Sequence, residues 1–178
     1  RLAEEEFFDF LRKRQWLLEG VSICGGEPTI HSDLMDFIRK IRDLGYKVKL
    51  DTNGSRPESI KHLLDQKLVD YIAMDIKHIW EKYAEITGKT VDTTLYQEST
   101  HLILEKAPDY EFRTTVIEWF HTPDTIRTIT EKQIFGAKNY YLQAYRSGET
   151  LDPYFSGNPW TSQDYTQALT YARDYVEH

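Results

Sequence analysis

Apolar positions along the chain follow two periods. Short runs at residues 21–24, 46–51, 69–77, 111–117 and 139–145 are rich in β-branched and aromatic residues and predict five strands. Between them apolar residues recur three and four apart, the spacing of one helix face. Leu34, Phe37, Ile38, Ile41 and Leu44 predict a helix capped by Ser32 and stopped by Gly45. Pro57 opens the next helix, to about residue 67, at a position where its missing N–H costs nothing. Further helices are predicted at 79–87, 92–106, 123–135 and 162–176. A first helix at 3–19 carries Phe7, Phe8, Leu11 and Leu18 on or near one face. Thr52-Asn53-Gly54-Ser55 reads as a turn, and 146–161, rich in Gly and Pro, as an irregular loop.

Strands alternating with helices imply an α/β domain of parallel strands joined by right-handed crossovers. No linker or shift of composition divides residues 1–178, so one domain is expected. A helix that feeds the first strand leads us to expect an earlier strand missing from the sequence. Lys47, Lys49 and Asp51 alternate on one side of the second strand, where a strand covered on both faces would be apolar. That strand is therefore expected to keep one face partly solvated.

Composition narrows the function. With 40% hydrophobic and 29% charged residues the chain is globular. Its net charge of −7 argues against a broad nucleic-acid footprint. No run suits a membrane span, and no signal peptide is visible, so a cytoplasmic protein is expected. Cys24 is the single cysteine, which rules out an intrachain disulfide and a zinc or iron–sulfur site of three or four thiolates. It reads as a small buried residue. The histidines, at 31, 62, 78, 101, 121 and 178, show no helical metal spacing and read as surface or polar-core residues. No metal ligand is assigned. Nucleotide-binding and hydrolase glycine motifs are absent.

Ligands of parallel α/β folds bind at the carboxyl ends of strands. The unusual residues collect there: Gly25-Gly26-Glu27-Pro28 after the first strand, Asp51-Thr52-Asn53-Gly54 at the second, Asp75 and Lys77 at the third. Arg113 lies near the start of the fourth, Trp119 and His121 lie past its end, and Gln143 and Arg146 close the fifth. Each feature has a plainer reading. Gly-Gly and Asn-Gly form tight turns, Asp75 and Lys77 suit a structural ion pair, and Arg113 suits a solvated edge. The functional reading is that the glycines admit a ligand to the backbone while Glu27 accepts hydrogen bonds from an ammonium group.

The run Val21-Ser22-Ile23-Cys24-Gly25-Gly26-Glu27-Pro28 resembles the second strand of radical S-adenosylmethionine (SAM) enzymes. Together with Lys49-Leu50-Asp51-Thr52-Asn53-Gly54 and Tyr71-Ile72-Ala73-Met74-Asp75-Ile76-Lys77, it is similar to the activating enzymes of pyruvate formate-lyase and anaerobic ribonucleoside-triphosphate reductase. The similarity extends through residues 111–117 and 142–151. The resemblance implies a partial (βα)6 TIM-like barrel without its first strand. It implies that Gly25, Gly26, Glu27 and Pro28 surround the amino group of SAM. Asp51, Thr52, Asp75 and Lys77 match positions around the methionine carboxylate and a nearby monovalent cation, and Asn53 is counted with the cofactor-binding residues. Arg113 matches an arginine on the SAM and peptide-substrate side, and Gln143 and Arg146 match the strand that closes the site. Of these, Asp75, Lys77 and Arg113 are the candidates for a catalytic role.

The family reaction is reductive SAM cleavage by a 4Fe–4S cluster, giving a 5′-deoxyadenosyl radical that takes hydrogen from a backbone glycine. It implies a glycyl radical enzyme as partner and a reduced flavodoxin- or ferredoxin-like electron donor. The family's Cys-x3-Cys-x2-Cys motif is missing, so this chain alone is expected to be inactive. Competing readings are a radical SAM enzyme acting on another small molecule or peptide, and a non-catalytic SAM-binding protein.

Overall fold

A computed structural model describes residues 3–146 and 157–178. The strands β1 Gly20–Ile23, β2 Lys47–Thr52, β3 Tyr71–Asp75, β4 Tyr110–Val116 and β5 Tyr140–Ala144 form one sheet. Their order is β1-β2-β3-β4-β5, and every neighbouring pair is parallel. A doubly wound sheet reverses direction midway. Strands added in chain order with right-handed crossovers instead put all connecting helices on one side, as in a barrel wall. The expected partial TIM-like architecture is thus observed.

The helices are α1 Glu4–Arg12, α2 Leu34–Asp43, α3 Pro57–Asp65, α4 Tyr83–Thr87, α5 Thr93–Lys106, α6 Pro123–Lys132 and α7 Ser162–Ala172. Single 3₁₀ turns occur at Pro28–Ile30 and Trp80–Lys82. Val48, Leu50, Ile72, Met74, Phe112 and Val116 leave the sheet on its helical side. They share one buried cluster with Ile38 and Ile41 of α2, Ile60 and Leu63 of α3, Ile103 of α5, and Ile126 and Ile129 of α6. Each such side chain contributes about 1.5–3 kcal/mol by leaving water. No helix among the described residues is long and apolar enough to cross a membrane.

The opposite face of the sheet has another composition. In parallel pairing, register partners point the same way. Ser22 pairs with Lys49, Lys49 with Tyr71, Asp51 with Ala73, Ala73 with Glu111, and Asp75 with Arg113. Arg113 in turn pairs with Tyr141, and Thr115 with Gln143. The face is therefore largely polar and charged; the partial solvation expected at Lys47 and Lys49 is observed there and declines toward β4, where Glu111 and Arg113 are mostly covered.

Several boundaries differ from expectation. The first helix ends at Arg12 rather than 19, because Phe8 and Leu11 are its last inward positions; Trp16 and Leu17 are 95% and 78% exposed. Asp33, not Ser32, occupies the N-cap of α2, and its side chain makes no cap hydrogen bond. Gly45 does stop that helix, with φ 87°. Asp92 and Thr122 cap α5 and α6 with their side chains. Cys24 is exposed rather than buried, since it follows β1, the edge strand of the sheet among the described residues. The expected loop at 146–161, and the similarity beyond residue 146, lie mostly outside the described residues. After α7 the chain returns to the sheet, where Tyr140 N–H donates to the His178 carbonyl.

Candidate functional site

The loop after β1 is tied to the end of β2 by one carboxylate. Glu27 is 8% exposed. Its Oε1 accepts from the Thr29 amide and hydroxyl and from the Thr52 hydroxyl at 2.7 Å. Its Oε2 accepts from the Asn53 amide at 2.6 Å. A carboxylate offers about four acceptor directions, so Glu27 is largely occupied by its own protein, with room left at Oε2. Gly25 and Gly26 precede it with φ 98° and 55°, a backbone region that L side chains disfavour. Nothing lies within 4 Å of where either Cβ would sit, so the backbone is open on that side. Pro28 is buried and begins the 3₁₀ turn. The Asn53 carboxamide accepts from Ser55 N–H, and Thr52 Oγ1 accepts from Gly54 N–H, which closes the expected turn.

Beside this loop runs a layer of charge built on three strands. Arg113, in the middle of β4, sends Nη1 to Asp51 Oδ2 at 3.0 Å. Its Nε and Nη2 both reach Asp75 Oδ1, at 3.1 and 3.0 Å. Lys77, two residues past the end of β3, places Nζ 3.7 Å from Asp75 Oδ2. Below, Lys49 Nζ lies 3.3 Å from Asp51 Oδ1 and 3.4 Å from Glu111 Oε1. Glu111 Oε2 accepts from the Tyr71 hydroxyl at 2.9 Å. Three cations (Lys49, Lys77, Arg113) thus face three anions (Asp51, Asp75, Glu111). Asp51 Oδ1 is buried and makes no hydrogen bond, although the Lys49 ammonium lies 3.3 Å away.

The electrostatics follow the packing. Burial works against the Arg113 charge, but its bonds to Asp51 and Asp75 outweigh that and hold its pKa above the ordinary value. Burial first, then the hydrogen bond to Glu111, push the Tyr71 phenol up. It stays protonated and donates.

The structure therefore brings together Glu27, Thr52 and Asn53, and separately Asp51, Asp75, Lys77 and Arg113. The latter is no solvated edge residue, since its side chain is 15% exposed. Gln143 points from the same face of β5, exposed, and accepts from Thr115 Oγ1 at 3.4 Å. Arg146 lies beyond β5, exposed. Lys49, Glu111 and Tyr71 were not identified as site residues from sequence. The signal was present in β4, where Glu111, Arg113 and Thr115 alternate with Tyr110, Phe112 and Thr114.

An iron–sulfur cluster does not fit these residues. Cys24 is the only thiol, and among the described residues no three His, Cys, Asp or Glu side chains group to hold a metal ion.

Comparison with known proteins identifies the fold and the family. A Methanocaldococcus jannaschii protein assigned by name to glycyl-radical enzyme activation is 28% identical over 186 residues, spanning 99% of this chain and 75% of that protein. A domain of pyruvate-formate lyase-activating enzyme from Bacteroides vulgatus superposes with TM-score 0.68 at 19% identity, covering 88% of this chain and 94% of that one. Streptococcus suis SuiB bound to S-adenosylmethionine also gives 0.68, at 16% identity, over 97% of this chain and 40% of that one. The sequence profile of the radical SAM superfamily matches residues 3–131, from α1 through α6, and the chain belongs to that superfamily.

Proposed function

We propose that this chain is the SAM-binding core of a glycyl-radical activating enzyme. Its protein substrate would be a glycyl radical enzyme, and its electron source a reduced flavodoxin- or ferredoxin-like donor. The observation that carries the reading is the adjacency of the two clusters: a glycine backbone with open space beside it after β1, and a charge layer whose Asp51 and Asp75 stand at the carboxyl ends of β2 and β3. SAM has an ammonium, a carboxylate and a sulfonium, so a pocket for it needs both signs of charge. Gly25 and Gly26 would take the methionine end against their peptide groups. Lys77 and Arg113 would attract its carboxylate. The free acceptor direction of Glu27, with Asp51 and Asp75, would attract the cationic groups.

The chemistry that bound SAM supplies is a labile adenosyl carbon–sulfur bond. The residues of this chain bind and orient that bond and provide no cluster ligands for breaking it. Calorimetric titration of the chain with SAM tests the reading. We expect saturable one-to-one binding that Arg113→Met and Lys77→Ala weaken. Absence of binding at about 1 mM SAM, where affinity falls to about 4 kcal/mol, would overturn it. A peptide carrying the radical glycine of a glycyl radical enzyme is expected to bind more tightly with SAM present. Zero coupling would assign the site to another substrate.

A further inference from the structure

His78 and His121 are 43 residues apart in sequence and 1% and 2% exposed. They sit in the segments that leave β3 and β4, and their rings stack with centroids 5.0 Å apart and planes at 22°. Each uses its two nitrogens in the same way. Nδ1 of His78 accepts from the Ile79 amide at 2.7 Å, and Nδ1 of His121 from the Ile117 amide at 3.1 Å, both within their own segment. The other nitrogen crosses over: His78 Nε2 meets the Phe120 carbonyl at 2.6 Å, and His121 Nε2 meets the Lys77 carbonyl at 2.8 Å. An amide can only donate and a carbonyl can only accept, so both imidazoles are neutral with the proton on Nε2.

One of the crossed bonds falls on Lys77, whose backbone is held on both sides. The Lys77 carbonyl accepts from His121, and the Lys77 amide donates to Oη of the fully buried Tyr83 at 3.1 Å. One residue earlier, Ile76 N–H donates to the Arg113 carbonyl at 2.8 Å, and the Ile76 carbonyl accepts from Thr114 Oγ1 at 2.6 Å. The sheet ladder assigns Tyr71–Asp75 to β3, so these bonds hold a segment the strand itself no longer holds. The Lys77 side chain meanwhile reaches the charge layer beside Asp75.

We infer that His78 and His121 form a reciprocal clasp between the two strand-end segments, and that they are positioning residues which fix the Lys77 backbone so that its ammonium faces the site. The inference rests on the SAM-binding reading for the identity of the ligand, but not for the existence of the clasp.

Two measurements on the full chain separate these points. The first is hydrogen exchange at the Lys77 amide. Slow exchange is expected in the wild type, at least tenfold faster exchange in His121→Ala, and substantial recovery in His121→Gln, whose side-chain amide can donate to the Lys77 carbonyl. Equal exchange in all three would overturn the clasp. The second is SAM affinity, measured where every variant is folded by circular dichroism. His121→Ala is expected to weaken SAM binding about as much as Lys77→Ala does, and the double variant no more than Lys77→Ala alone. Additive losses would mean that His121 acts apart from Lys77 and would overturn the positioning role. If the wild type fails to bind SAM, the functional reading falls and the exchange series alone decides the clasp.

Discussion

Replacing Arg113 with methionine keeps the apolar stem and removes a guanidinium that makes three hydrogen bonds to two carboxylates. Each charge-assisted bond is worth about 1.5–3 kcal/mol net when buried. The two bonds to Asp75 are discounted, because its side chain is 36% exposed and rehydrates once freed. The bond to Asp51 is not, because that side chain is 22% exposed and its Oδ1 already lacks a hydrogen bond. The expected loss is therefore about 2–3 kcal/mol, dominated by Asp51, which keeps the Lys49 ammonium at 3.3 Å but loses its hydrogen-bonded cation. In a domain of this size that is about 4–12 °C in Tm. Urea unfolding by circular dichroism at neutral pH reads it directly, as a lower midpoint with unchanged slope. Adding Asp51→Asn to Arg113→Met should recover about 1 kcal/mol, since the half-buried carboxylate that lost its hydrogen-bonded partner is then neutral and Lys49 keeps Glu111. A loss below about 0.5 kcal/mol, or a double variant weaker than the single one, would refute the reasoning and make the charge layer a set of independent surface pairs.

Glu27→Ala strands the Thr52 hydroxyl and the Asn53 amide, and should cost about 2–3 kcal/mol as well as weakening SAM binding; an unchanged melting temperature would show that the loop is not held there. Burial above all holds His78 and His121 below the ordinary histidine pKa of 6.5, so the unfolded chain takes up their protons first. Stability should be level above that pH and fall as pH drops below it toward the folded-state values, and His121→Gln should flatten the profile between pH 7.5 and 5.5 as read by urea midpoints. Gly54→Ala forces φ +78° on a residue with a side chain and drives its Cβ into the Cε of the fully buried Met74. It should cost about 2 kcal/mol or more by thermal melting, and a neutral result would mean that Met74 moves aside freely.

Much of this was legible in the sequence because it is local. The strand positions, the turn at Asn53-Gly54, the stop at Gly45 and the charged face of β2 all follow from residue types and their period. The grouping of Asp51, Asp75 and Arg113 follows from one further step, since consecutive parallel strands align their carboxyl ends. What stayed hidden depends on partners distant in sequence. Glu27 could be read as a ligand group, but its engagement with Thr52 and Asn53 is a tertiary fact. Nothing near His78 announces His121. The first helix ends early because the core stops offering places to its apolar residues after Leu11, which periodicity alone does not encode. Cys24 was misjudged for the same reason: burial is set by the neighbouring strand, not by the thiol.

That exposed thiol makes the chain easy to instrument. Cys24 is its single cysteine and directly precedes Gly25. A maleimide dye or nitroxide will therefore attach at one address without any background mutation. The probe would sit at the edge of the sheet next to the open glycine backbone, where a change in its emission or line shape reports on occupancy of the strand ends. With Trp16, Trp80 and Trp160 replaced, Trp119, which is 76% exposed beyond β4, also gives a tryptophan-to-dye distance across the mouth of the sheet.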